Sequence, residues 1–125
     1  MDNKIIYQNH INMISIQSLY CIGGYVTYEV SVSTCSFSGT CNFCISEDHI
    51  WDYTKVIDNM INSLSGEIEI HDCESDAYLK LYFEDTMNFY VLGQIGGSYG
   101  DNTLKFKLKA DQTVLLRLKE ELVDY

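Results

Sequence analysis

The chain has 125 residues, and its 18 Asp and Glu against eight Lys and Arg give a formal net charge of −10 at pH 7. Because nucleic-acid binding depends on many contacts between cationic side chains and phosphates, this balance excludes a nucleic-acid partner and favours a basic one. The apolar runs are too short to span a membrane, and the N-terminus shows no signal-peptide pattern. We therefore expect a single domain over residues 1–125, with no membrane association and a cytoplasmic location.

The first third of the chain has the alternating pattern of β-strands. Strands are predicted over residues 11–22, 25–34 and 39–45, with β-branched residues concentrated in the second of them. Gly23 and Gly24 separate the first two strands, and glycine accepts the positive φ that a tight turn requires. This region therefore predicts an antiparallel meander of three or four strands.

The hydrophobic period changes after Ser46, which is a good N-cap residue. Apolar residues then recur at three- and four-residue spacing and predict a helix over residues 48–64. Trp51 and Val56 are expected to widen its buried stripe. Gly66 is expected to end the helix, because glycine accepts the left-handed conformation of a C-terminal cap.

The alternating pattern returns after this helix. Strands are predicted over residues 67–72, 77–84, 87–95 and 103–110, with an acidic turn at 72–76 and a glycine-containing turn at 96–102. A second helix follows, with Asp111 as its predicted N-cap. The order of elements predicts an α+β fold in which an antiparallel sheet of about seven to eight strands is packed by two helices.

Five segments of the chain form a pattern beyond their secondary structure. They are Phe37-Ser38-Gly39, Leu64-Ser65-Gly66, the alternating residues 67–83, Leu104 with Phe106, and Asp111-Gln112-Thr113 at the start of the last helix. This pattern resembles the WapI family of bacterial immunity proteins over about residues 37–122, and Asp111-Gln112-Thr113 is its most specific element. The chain departs from the family pattern at Phe89-Tyr90-Val91, where relatives tend to have Gly-His-Val.

The resemblance implies an antitoxin of a polymorphic or contact-delivered toxin system, active in bacterial competition. Such a protein binds a cognate toxin domain, often a nuclease, and blocks it in the cell that produces it. It implies no catalytic residue and no cofactor. We therefore expect a protein that is not an enzyme and acts as a monomer or in a 1:1 complex with a basic toxin domain.

One stretch of carboxylates is the strongest candidate for the contact with such a partner. A nuclease must hold phosphates in a basic cleft, so an acidic surface can occupy that cleft and accelerate association. Tyr78 and Tyr82 are predicted to point outward on the next strand, where they would serve as aromatic anchors or pack across strands. A solvated strand face is the alternative interpretation of the carboxylates. The stretch consists of Glu67, Glu69, Asp72, Glu74 and Asp76.

Two other groups of residues have simpler explanations. Lys105, Lys107 and Lys109 alternate along one strand, which is typical of charge pairing across strands or of protection of a sheet edge. Cys41 and Cys44 have the spacing of a zinc knuckle, and His71 and Cys73 would complete four ligands. A strand directs positions three apart to opposite faces, however, so free thiols are the main expectation.

The sequence leaves two further functions open. Strands rich in tyrosine could enclose a pocket, which would make the chain a carrier or sensor of a small ligand. A zinc-stabilised structural subunit is the other alternative, and it would need bound zinc in order to fold. No serine or cysteine nucleophile motif accompanies the three histidines, His10, His49 and His71.

Overall fold

The computed structural model of the chain describes residues 4–97 and 102–125. Within them, four strands, a helix, four strands and a second helix follow one another, which confirms the predicted α+β class and order of elements. The elements are β1 (Ile5–Gln8), β2 (Asn12–Ile22), β3 (Tyr25–Thr34), β4 (Phe37–Ser46), α1 (Glu47–Ser63), β5 (Glu67–His71), β6 (Tyr78–Asp85), β7 (Asn88–Gly96), β8 (Thr103–Ala110) and α2 (Thr113–Val123).

The eight strands divide into two antiparallel sheets of four, a division that the sequence pattern did not reveal. The first sheet has the order β1-β2-β3-β4 and the second the order β5-β6-β7-β8, so in each sheet neighbouring strands are consecutive in the sequence. Strand β4 begins at Phe37 because Phe37 and Ser38 still pair with β3. Residues 98–101 of the predicted turn at 96–102 lie outside the described residues.

The apolar face of each sheet contributes to one hydrophobic core, in which side chains of both sheets and both helices are buried. The sheets approach each other closely at Gly39 of β4. A Cβ atom at this position would lie 3.2 Å from side-chain carbons of both Ile95 and Leu104. A glycine at position 39 therefore allows β4 to pack against β7 and β8.

Helix α1 begins as predicted, since the Ser46 hydroxyl accepts a hydrogen bond from the His49 amide at 3.2 Å. Its end differs from the prediction, because Leu64 rather than glycine takes the left-handed cap conformation, with a φ of 52°. Trp51 and Val56 were expected in the buried stripe, and that expectation is wrong, since they are 65% and 38% exposed. The buried arc of α1 is narrower than the apolar pattern suggested.

Helix α2 is anchored to the first sheet through polar contacts. The Tyr28 hydroxyl on β3 donates a buried hydrogen bond of 2.5 Å to the carbonyl of Leu122. The N-cap position is Gln112 rather than Asp111, although the Asp111 carboxylate still accepts from the Thr113 amide at 2.9 Å. Asp111 therefore stabilises the start of α2, as predicted, but it does so from the position before the N-cap residue.

The helices contact each other, and each also packs on strands: α1 on β4 and β5, and α2 on β1 and β2. Among the helices of residues 4–97 and 102–125, none combines the length and the apolar character that crossing a bilayer requires.

Candidate protein-binding surface

Most of the negative charge of the chain comes from one continuous segment, residues 47–76, which forms α1, β5 and the loop between β5 and β6. This segment holds nine carboxylates and a single lysine, Lys55, so it accounts for −8 of the net charge of −10. We call it the acidic segment. Its carboxylates are Glu47, Asp48, Asp52, Asp58, Glu67, Glu69, Asp72, Glu74 and Asp76.

The fold joins the helix and the strand of the acidic segment through Tyr53. The hydroxyl of this α1 residue accepts a hydrogen bond of 3.3 Å from the backbone amide of His71, on β5. Burial raises the pKa of Tyr53, so the phenol stays neutral and can donate as well. Since β5 is an edge strand of the second sheet, Tyr53 also satisfies a backbone donor that would otherwise stay unpaired within the sheet.

Glu67 and Glu69 lie exposed on β5, as the alternation predicted. The Glu67 carboxylate is 3.7 Å from the Lys80 ammonium, and the Glu69 carboxylate is 3.1 Å from the His71 ring. Both pairs are solvent-exposed enough for screening to make them weak. The two carboxylates therefore remain accessible to a partner at small energetic cost.

Asp72 was expected on the exposed acidic surface, and that expectation is wrong. The residue is only 7% exposed. Its carboxylate accepts hydrogen bonds from the Cys44 amide at 2.9 Å, the Glu74 amide at 3.1 Å and the Ser75 hydroxyl at 2.5 Å. A carboxylate with three such donors is fixed in place, so Asp72 shapes the loop and ties it to β4 rather than meeting a partner.

The remaining carboxylates of the predicted stretch, Glu74 and Asp76, are exposed on the loop that Asp72 holds. The sequence stretch is therefore divided between two places: Glu67 and Glu69 lie on the outward face of the second sheet, whereas Glu74 and Asp76 lie on the loop after β5, which Asp72 and Cys73 join to β4. Glu74 raises the pKa of the nearby Cys44 thiol, after the larger effects of burial and of Cys73.

Tyr78 and Tyr82 are half-buried on the outward face of the second sheet. The Tyr78 ring stacks on the His71 ring at 5.8 Å, and the Tyr82 ring stacks on the Tyr90 ring at 5.6 Å. Lys80 lies over Tyr82, with its ammonium 5.5 Å from the ring centre. These contacts show the cross-strand packing that was one of the two expected roles, and both tyrosines stay partly exposed.

The lysines of β8 belong to the same outward face. Lys107 pairs with Leu92 of β7 in the ladder, and its ammonium lies 4.9 Å from the centre of the Tyr90 ring. Lys105, Lys107 and Lys109 are exposed along the second edge strand of the sheet. Lysines on an edge strand discourage pairing with another strand, in agreement with the edge-protection interpretation.

Sequence reasoning missed a group of exposed apolar residues at the hairpin between β2 and β3. Tyr20, Ile22 and Tyr25 are 53%, 70% and 48% exposed. The strand register places all three on the outward face of the first sheet, with Tyr25 beside Ser46. They therefore adjoin the start of α1, where the acidic segment begins. Large apolar residues flanking Gly23-Gly24 were the available signal.

The four candidate zinc ligands do not assemble. Cys41 and Cys44 lie on opposite faces of β4, because they are three positions apart on a strand. The Cys44 carbonyl instead accepts a backbone hydrogen bond of 3.0 Å from the Cys73 amide. Among the described residues, the side chains of His, Cys, Asp and Glu form no group of three that could hold a metal ion, and all five cysteines are free thiols.

A cleft of about 310 Å³ lies where the two sheets meet, between β4 and β7–β8. The described part of its lining includes Phe37, Thr40, Ile95 and Leu104.

Comparisons of this chain with models of protein families, with curated proteins and with solved structures found no match.

Proposed function

We propose that this chain is an immunity protein that binds a cognate toxin domain stoichiometrically and covers its active site. The class of toxin that we propose is a nuclease. The observation that supports this proposal best is the acidic segment, whose charge of −8 is concentrated in α1, β5 and one loop. The resemblance to the WapI family suggested the same role.

The acidic segment suits a basic partner for electrostatic reasons. A nuclease cleft concentrates positive charge in order to hold phosphates, so a surface with surplus carboxylates can occupy the same cleft. Opposite charges also steer the encounter and can raise the association rate by orders of magnitude at low salt. The exposed carboxylates on α1 and on the loop, Asp48, Asp52, Glu74 and Asp76, would supply these contacts.

Apolar anchors beside the carboxylates would slow the dissociation of the complex. Binding energy at interfaces is concentrated in a few large residues, with Trp and Tyr prominent among them. Trp51 on α1 is 65% exposed, and Tyr20, Ile22 and Tyr25 lie beside the beginning of the same helix. A surface with aromatic anchors and an acidic rim has the composition of a site for a basic protein.

The proposal expects a toxin domain to be encoded directly upstream, and co-expression with the polypeptide encoded there tests it. We expect the two polypeptides to co-purify in a 1:1 ratio and the chain to protect cells from that toxin. A chain that neither binds nor protects against the upstream polypeptide would contradict the immunity function itself.

A charge-reversal experiment tests the surface separately. Replacing Asp52, Glu74 and Asp76 by lysine should slow association at least roughly 10-fold at low salt and flatten its salt dependence, as measured by stopped-flow mixing. A control variant with the same change of net charge at Glu29, Glu84 and Glu120, outside the acidic segment, should retain more of the rate. Equal rates for the two variants would show that only the net charge matters and that the chosen surface is wrong.

A further inference from the structure

Cys44 and Cys73 are the one pair of cysteines that the described residues show in direct contact. They lie 29 positions apart in the sequence, on β4 and on the loop after β5, and α1 and β5 lie between them in the chain. The Cys73 side chain lies close enough to the Cys44 thiol to raise its pKa, after the larger effect of burial. Neither belongs to a disulfide. The fold therefore brings together two reduced thiols that the spacing of the sequence did not connect.

Hydrogen bonds of the backbone hold the two cysteines close to each other. The Cys73 amide donates a hydrogen bond of 3.0 Å to the Cys44 carbonyl. Standard bond lengths then keep the two Cα atoms within roughly 7 Å of each other, and a disulfide needs about 4.4–6.8 Å. The Asp72 carboxylate clamps the same place, because it accepts from the amides of both Cys44 and Glu74.

We propose that Cys44 and Cys73 are a disulfide-forming site that a peroxide oxidises. Cys73 is exposed and is the thiol that a dissolved oxidant reaches first, whereas Cys44 is half-buried beneath the loop. The site is independent of the proposed immunity function, since it rests on the contact between the thiols alone.

The chemistry balances with hydrogen peroxide as the oxidant. The Cys73 thiolate attacks one peroxide oxygen, the O–O bond breaks, and a sulfenic acid forms with release of hydroxide. The sulfur of Cys44 then attacks the sulfur of the sulfenic acid. The Cys44 proton leaves with the displaced hydroxyl as water, and one S–S bond remains. Two thiols have lost two electrons in total, and the peroxide has been reduced to two waters.

The division of roles between the two thiols agrees with their surroundings. Burial, the neighbouring Cys73 side chain and the nearby carboxylates raise the pKa of the Cys44 thiol to about 12. Cys44 is thus poorly suited to react with peroxide first and well placed to resolve a neighbour's sulfenic acid. Cys41, on the opposite face of β4, takes no part in the pair.

The bond would have a defined structural consequence. It would close a covalent ring over residues 44–73, which contains the whole of α1 and β5. The carboxylates of the acidic segment up to Asp72 would then lie within one ring, and Glu74 would directly follow its closure. Oxidation would therefore fix the acidic loop against β4.

The test uses the purified full-length chain treated with a small molar excess of hydrogen peroxide. We expect a mass decrease of two hydrogens, reversed by dithiothreitol, and a single dominant cross-linked peptide pair that contains Cys44 and Cys73. In the Cys44→Ser variant, Cys73 should instead be trapped as a sulfenic acid by dimedone. The matched Cys35→Ser variant should form the disulfide as the wild type does.

Two results would overturn the proposal. One is a wild-type chain in which Cys73 proceeds to sulfinic acid while Cys44 stays a free thiol. The other is a set of disulfides spread over Cys21, Cys35 and Cys73 without preference, as random collisions of exposed thiols would give. Peptide mapping of the wild type decides between these results and the expected one even if the serine variants do not fold.

Discussion

The two sheets share a plan but differ on their outward faces. Each has four antiparallel strands in chain order and buries one apolar face in the common core. The outward face of the first sheet combines small hydroxyl side chains with the exposed apolar group at the β2–β3 hairpin, whereas that of the second has charged and aromatic side chains. By register, the first face includes Tyr20, Ile22, Tyr25, Ser31, Ser33, Ser38 and Thr40, and the second includes Glu67, Glu69, Tyr78, Lys80, Tyr82, Tyr90, Lys105, Lys107 and Lys109.

The difference shows that a charged face is not necessarily the one that carries the net charge. On the second sheet, Glu67 of one edge strand pairs with Lys80 of the next strand, and Lys107 of the other edge strand lies over the Tyr90 ring, so these contacts lie within the face. By contrast, Glu74 and Asp76 form no ion pair within residues 4–97 and 102–125. The surplus negative charge thus lies on α1 and the loop rather than on the charged face.

The largest expected effect is the loss of stability when one glycine in each sheet is replaced by alanine. A Cβ atom at Gly93 would overlap the carbonyl oxygen of Tyr78 on the neighbouring strand, which is backbone and cannot move aside. Gly93→Ala should therefore lower the free energy of unfolding by more than about 3 kcal/mol. Gly39→Ala meets only the side-chain ends of Ile95 and Leu104, and should cost about 1 kcal/mol.

Urea denaturation of both alanine variants measures this contrast. A greater loss at Gly39 than at Gly93 would show that the contact between the sheets is more rigid than the pairing within the second sheet.

A smaller effect is expected from the polar link in the core of the first sheet. Tyr28→Phe removes the donor to the Leu122 carbonyl and should cost about 1–2 kcal/mol, because that acceptor stays buried. Burial raises the pKa of Tyr28 far above its ordinary value of 10.0. Below pH 10 both states keep the proton, and above it the unfolded state loses the proton first, so the free energy of unfolding falls as the pH rises.

Denaturation of the wild type and Tyr28→Phe between pH 8 and 11, an interval of about one unit or more on each side of the ordinary tyrosine pKa, measures this dependence. The variant should lose less stability than the wild type as the pH passes 10. Parallel curves would assign the alkaline loss to another group, such as Tyr125, whose pKa is raised to about 12 by its hydrogen bond to Glu47.

The smallest effect is expected on the charged face of the second sheet. Glu67→Gln removes the ion pair with Lys80, whose charged atoms are 3.7 Å apart in a solvent-exposed position. We expect a change in unfolding free energy within about 0.5 kcal/mol. A double-mutant cycle with Lys80→Met measures the coupling directly. A coupling energy well above 1 kcal/mol would mean that this face contributes to folding rather than only to solvation and binding.

The strands of the second sheet were predictable because one face of each is buried, which produces strict alternation. The burial of Ile68 and Ile70 and the exposure of Glu67 and Glu69 follow directly from that period. Trp51 was predicted to be buried and is exposed, because an apolar pattern does not fix the width of the arc that a helix buries. Asp72 was predicted to be exposed and is buried, because its hydrogen-bond donor Cys44 belongs to a distant strand.

Local periodicity and composition were enough to determine the class of fold, the order of its elements and the negative charge of one segment, since each depends on residues close together in the chain. Three features required the tertiary structure: the division into two sheets, the contact between Cys44 and Cys73, and the meeting of the β2–β3 hairpin with the start of α1. Each depends on contacts between backbone groups and side chains that are far apart in the sequence. Such contacts form only when the core packs, so the spacing of residues along the chain does not predict them.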